Sequence, residues 1–97
     1  MTDMNDTTKQ TVMDIAMNLH RIGGWVADDF KKNEKKIYIF IKNTDEYITT
    51  IQNLGDKFKP TWSNFINVYP NFKNDPRNNA ENLMTWGNIL THRSKFL

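Results

Sequence analysis

Val12, Ile15, Leu19, Ile22, Val26 and Phe30 follow one another at intervals of three and four residues. On an α-helix that spacing forms one continuous apolar stripe, whereas on a strand it would scatter the same residues over both faces. The first third of the chain is therefore committed to a helix. Thr7 and Gln10 fit a capping box at its start, and the polar residues 1–6 ahead of it are expected to be disordered. A second stripe of small residues, Ala16, Gly23 and Ala27, runs beside the first with His20 set among them, and it lets another backbone come close. Each glycine of Gly23-Gly24 costs a helix about 1 kcal/mol relative to alanine, so the pair predicts either a kink or two helices over 7–22 and 25–33.

Ile37-Tyr38-Ile39-Phe40-Ile41 would by itself pass for a buried strand. Its continuation decides otherwise: Ile37, Ile41, Thr44, Ile48 and Ile51 keep the helical spacing, Phe40, Tyr47 and Leu54 recur every seven residues, and Gly55 stands at a C′ position. No other segment has strand character to pair with it, so Lys35 to Leu54 reads as one helix. Phe58, Trp62, Phe65, Tyr69 and Phe72 then form an aromatic row, with Pro60 suited to a first turn and Pro70 to a stop, which predicts a helix of about ten residues. Asp75-Pro76 introduces a last helix that carries Ala80, Leu83, Gly87, Leu90, Ser94 and Leu97 on one side, widened by Trp86 and Ile89. Its small residues match those of the first helix, which predicts a close antiparallel approach of the two. The fold expected is all-α: a compact bundle of four or five helices, forming a single helical domain over 7–97.

Ninety-seven residues leave room for one domain, which buries only about 60–65% of its unfolded surface. The absence of cysteine excludes disulfides, thiolate catalysis and zinc–thiolate sites, and it points to the reducing cytoplasm. No stretch approaches the roughly 18 apolar residues of a membrane span, and the polar start carries no secretory signal. The net charge of +2 divides unevenly: residues 1–30 carry five acidic and two basic groups, and residues 31–97 six acidic and eleven basic. Lys31, Lys32, Lys35, Lys36 and Lys42 form the densest basic run, but Asp28, Asp29 and Glu34 dilute it, so it reads first as a solvated helix face.

Catalytic constellations are missing from the pattern. The only two histidines lack the spacing of a metal site, and with no cysteine the expectation is no metal and no cofactor. Ser63 and Ser94 sit in no nucleophile context, and the neighbouring carboxylates Asp28-Asp29 and Asp45-Glu46 point about 100° apart on a helix, so an enzyme is not expected. Each histidine is followed by arginine, and each pair lies near a tryptophan: His20-Arg21 before Trp25, His92-Arg93 after Trp86. These four residues form a polar cluster only if the two helices bring them to the same level. Separately, His92 and Arg93 suit the negative end of a helix dipole.

The aromatic row is the better functional candidate. Helical spacing of aromatics ordinarily marks a core. Five of them on one short helix exceed what one side of a small bundle needs, so Trp62, Tyr69 and Phe72 are expected at a surface rimmed by Lys57, Lys59 and Lys73. Trp86 is expected to be core and Trp62 partly exposed.

The segments Leu19-His20-Arg21-Ile22-Gly23 and Trp86-Gly87-Asn88-Ile89-Leu90-Thr91-His92-Arg93 resemble short uncharacterised proteins of cyanobacteria. The resemblance implies a cytoplasmic bacterial protein and no mechanism. From the residues, the function expected is a small binding or adaptor protein that contacts a protein partner, with a weak nucleic-acid-binding regulator as the alternative and a small enzyme using His20 and His92 as the third. Neither membrane association nor a particular oligomeric state is indicated.

Overall fold

The helical stretch from Met4 to Thr49 would span about 69 Å if it were straight, and the whole molecule is only 42 Å long. The resolution lies at Asp29, whose extended backbone (φ −165°, ψ 101°) folds α1 (Met4–Thr49) into two arms, residues 4–28 and 30–49. The arms run antiparallel: Asn18 donates to Asn43 (2.8 Å) and Thr44 (3.2 Å), Thr8 donates to the Gln52 carbonyl (2.8 Å), and Trp25 packs edge-on against Phe40. This computed structural model describes residues 4–97, with side chains from Thr7 onward. The expectation for residues 1–3 lies outside the described part, and α1 is already under way before Thr7.

Two polar residues make the fold-back. The Asp29 carboxylate accepts the Lys32 N–H at 3.1 Å, the N-cap bond that satisfies an orphan donor of the second arm. Buried Asn33 donates to the Trp25 carbonyl at 3.1 Å, covering an acceptor that the end of the first arm leaves open. The break expected at Gly23-Gly24 is therefore corrected: both glycines are helical, and the chain turns only where a carboxylate and an amide can satisfy the severed ladder.

Ile37–Ile41 is helical, as expected, although the arm ends at Thr49 and not at Leu54. Residues 50–54 are irregular, with Asn53 (φ 58°) and Gly55 (φ 73°) in the left-handed region that turns the chain into α2 (Gly55–Asn74). This helix is twice the expected length, running through both Pro60 and Pro70. Each proline removes one N–H and frees one carbonyl, but both prolines are exposed, so the freed group faces water while Phe58, Trp62, Phe65, Tyr69 and Phe72 stay buried on the inner side. Burial of Phe72 beyond Pro70 offsets the break that the proline would otherwise impose. A 3-10 turn (Pro76–Asn78) leads into α3 (Ala80–Arg93), and a second (Ser94–Phe96) follows it.

The result is an all-α globule with no strand among the described residues, built of three α-helices, the first folded into two arms, where four or five helices were expected. Its Cα radius of gyration, 13.3 Å, is close to the roughly 13 Å of a compact domain of about 100 residues. Val12, Ile15, Leu19 and Ile22 from the first arm meet Ile37 from the second, Phe58 and Phe65 from α2, and Leu83 and Leu90 from α3, all fully buried. α3 lies antiparallel against the first arm. A Cβ on Gly23 would fall 2.5 Å from Met84 Cγ and 2.9 Å from the Ala80 carbonyl, and one on Gly87 2.8 Å from the His20 ring. The matched small residues bring these backbones together, as their spacing implied.

Candidate functional site

The aromatic row does not form the surface expected of it. Trp62 is only 9% exposed, Tyr69 3% and Phe72 7%, and successive rings from Phe58 to Tyr69 lie 5.1–6.4 Å apart along the inner side of α2. The assignment of Trp62 to a binding surface is thereby corrected, and its role relative to Trp86 is reversed: Trp62 belongs to the core, and Trp86 is partly buried at the core's edge. The physical reason is the length of α2. A helix of 20 residues closes one whole flank of the bundle and needs all five rings to do so.

Of the lysines, Lys57 and Lys59 are exposed, and Lys73 is partly buried, paired with Asp45 at 3.4 Å and lying over the Tyr69 ring at 5.7 Å. The Tyr69 hydroxyl beneath them is buried with no acceptor in hydrogen-bond geometry, although Asp45 and Thr44 stand close. Burial, and then the Asp45 charge, push its ionisation well above the ordinary phenol range, so it remains a neutral donor. Asp45, Lys73 and Tyr69 share a shallow depression of about 290 Å³ with Ile48, Thr49, Ile66 and Pro70.

Nor do the two His-Arg pairs converge. The His20 ring rests on Gly87, while Arg21 lies over Phe40 at 5.8 Å and is within 3.5 Å of Asn18. His92 comes five residues after Gly87, about 140° further round α3, and with Arg93 it occupies the opposite flank. The reason is angular: one helix cannot present positions 87 and 92 to the same neighbour.

What that flank offers instead is a cleft of about 520 Å³ between α2 and α3, lined by Thr61, Asn64, Trp86, Asn88, Ile89, His92 and Arg93. α2 contributes Thr61 and Asn64 by the spacing of one turn. α3 contributes Trp86, Ile89 and Arg93 at i, i+3 and i+7, a single line along its surface. Trp86 is braced from inside by Phe65, with ring centroids 5.7 Å apart and planes at 51°. His92 and Arg93 close the last turn of α3, where the helix dipole favours cations. Arg93 also lies over the Phe96 ring at 5.8 Å, so its guanidinium is held near the mouth. No carboxylate lines the cleft.

No family model, curated protein or solved structure matches the chain.

Sequence reasoning named His92 and Arg93, assigned Trp86 and Ile89 to the core, and missed Thr61, Asn64 and Asn88. The signal for them was the spacing Lys57, Thr61, Asn64, which marks the α2 edge next to the aromatic row. Chemically the cleft offers an aromatic plane, two amides, a hydroxyl, an imidazole and one guanidinium. Among the described residues there is no group of three or more His, Cys, Asp or Glu placed to hold a metal ion, and no helix is long and apolar enough to cross a membrane.

Proposed function

We propose that this protein is a small cytoplasmic binding or adaptor module that engages a macromolecular partner through the α2–α3 face, with Trp86, His92 and Arg93 at its centre and Lys57 beside it. The observation that carries the reading is the cleft itself, about 520 Å³ with a partly buried tryptophan braced by the core and the Arg93 guanidinium and His92 imidazole at one end. A braced aromatic in a concave, partly polar setting is the kind of group on which binding energy concentrates. The resemblance to short cyanobacterial proteins belongs to the same proposal.

A photo-crosslinking amino acid in place of Asn88, introduced in the cell that makes the protein, tests it. Adducts at position 88 should exceed those from the same substitution at Glu34, which is exposed on the second arm of α1, and should fall when Arg93→Glu is added. Equal yields at both positions would remove the cleft from consideration.

A further inference from the structure

The cleft separates its apolar and cationic groups along one helix, and this separation specifies a two-ended ligand. We propose that it binds a nucleoside monophosphate unit, free or as part of a single strand, an inference that rests on the reading of the α2–α3 face as the binding surface.

Trp86 and Arg93 stand seven residues apart on α3, about 10 Å along its axis, with Ile89 between them on the same line. An anion alone would use only the Arg93 end, and an apolar group alone only the Trp86 end. A nucleotide uses both, placing its base on the indole, its sugar over Ile89 and its phosphate against Arg93 and His92. Base–aromatic stacking tolerates any base because each has a π-face, and it is most effective on a ring that is already held, as Phe65 holds Trp86. Arginine matches phosphate through two parallel N–H donors, and the cleft has no carboxylate to repel the charge. Lys57 lies one turn before Thr61 on the same edge of α2 and extends the cationic end by helical spacing.

The asparagines supply the remaining function. The amides of Asn18, Asn33, Asn78, Asn79 and Asn82 are all committed to hydrogen bonds inside the protein. Asn64, Asn67, Asn71, Asn74 and Asn88 are exposed and make no such bond among the described residues, and of these Asn64 and Asn88 line the cleft, from opposite helices. A carboxamide carries paired donors and an acceptor, the complement of a base edge. The volume of about 520 Å³ lies within the roughly 300–1,000 Å³ of small-ligand sites. An acidic peptide could satisfy Arg93 and, through its backbone, both amides, but a glutamate-rich one would leave the indole plane without a stacking partner.

The test is a titration of the ¹⁵N-labelled chain, followed at the Trp86 indole N–H and the Asn64 and Asn88 side-chain amides. Adenosine monophosphate, adenosine, ribose 5-phosphate, oligoadenylate and a glutamate-rich peptide are added separately. Adenosine monophosphate should bind at least about tenfold more tightly than adenosine or ribose 5-phosphate, because only it spans both ends. Arg93→Met should abolish its advantage over adenosine, and Asn88→Asp should weaken both; these residues are exposed, so an otherwise unchanged spectrum shows that the fold is kept. Oligoadenylate binding more tightly than the mononucleotide, with affinity falling steeply as salt rises, would assign the unit to a strand; the reverse order would assign it to a free nucleotide, and either upholds the inference. Ribose 5-phosphate binding as well as the nucleotide would overturn it in favour of a plain anion site. Signals that move with the peptide but not with the nucleotide would also overturn it while leaving the binding face standing. No shift with any of the five overturns the nucleotide inference, and equal crosslinking at positions 88 and 34 would separately remove the binding face.

Discussion

On the flank of α3 that faces α1, Ala80, Met84 and Gly87 lie so close to Gly23 and His20 that a Cβ added to either glycine would come within 3.0 Å of a neighbour. On the flank that faces α2, Phe65 and Trp86 meet as rings 5.7 Å apart, and an open volume of about 520 Å³ remains beside them. The same helix is thus sealed on one side and propped open on the other. The difference comes from side-chain size at the contact, since interaxial distance follows the residues that fill it. Glycine and alanine let backbones meet and leave no space, whereas large rings touch at their own positions and hold the helices apart elsewhere. An open cleft in so small a domain requires both, a closed seam for stability and an aromatic strut that holds the helices apart.

The largest test of this contrast compares the two tryptophans. Trp62→Ala should cost about 3–5 kcal/mol in urea denaturation, because it empties a largely buried position between Phe58 and Phe65. Trp86→Ala, on the open side, should cost about half as much, and acrylamide should quench Trp86 more readily than Trp62 in single-tryptophan variants that also lack Trp25. Equal quenching would mean that the cleft is closed in solution.

A smaller effect is expected on the sealed flank. Gly87→Val should destabilise by about 1–3 kcal/mol, since its Cβ would meet the His20 ring at 2.8 Å and the Ala16 carbonyl at 3.0 Å, and the carbonyl cannot move without the helix. A thermal midpoint at or above that of the parent protein would show that α1 and α3 are not in close contact.

The smallest effect has the opposite sign. Gly24 is helical and exposed, and a Cβ there would meet nothing within 4 Å, so Gly24→Ala should stabilise by up to about 1 kcal/mol. Together with Gly87→Val it separates a glycine that the packing requires from one that it does not; a loss of stability at Gly24 would extend the seam around α1.

Much of this organisation was legible along the chain. The stripe from Val12 to Val26 is buried, Ile37–Ile41 is helical, and the small residues of the first and last helices do meet. Three readings failed because each treated a local signal as decisive. Gly23-Gly24 resembled a break, but propensity costs about 1 kcal/mol per glycine and the packing of Met84 and Ala80 over Gly23 outweighs it. Pro70 resembled a stop, but its exposed position lets water serve the freed carbonyl while Phe72 remains buried. Asp28 and Asp29 read as neighbours on one helix, yet Asp29 is extended and its carboxylate caps the second arm of α1. The candidate site was legible only in part, because Trp86, His92 and Arg93 share a helix but Thr61 and Asn64 come to them from another.

The sequence by itself determined the helical class, most of the buried stripes and the close seam between the first and last helices, because periodicity within one helix depends only on residues three and four apart. Tertiary structure alone decided where α1 reverses, which tryptophan is enclosed and which side chains share the cleft. Those outcomes depend on how far one helix stands from its neighbour and on the rotation of each about its own axis. No local spacing encodes either quantity, since both are set by all the side chains that pack between the helices at once.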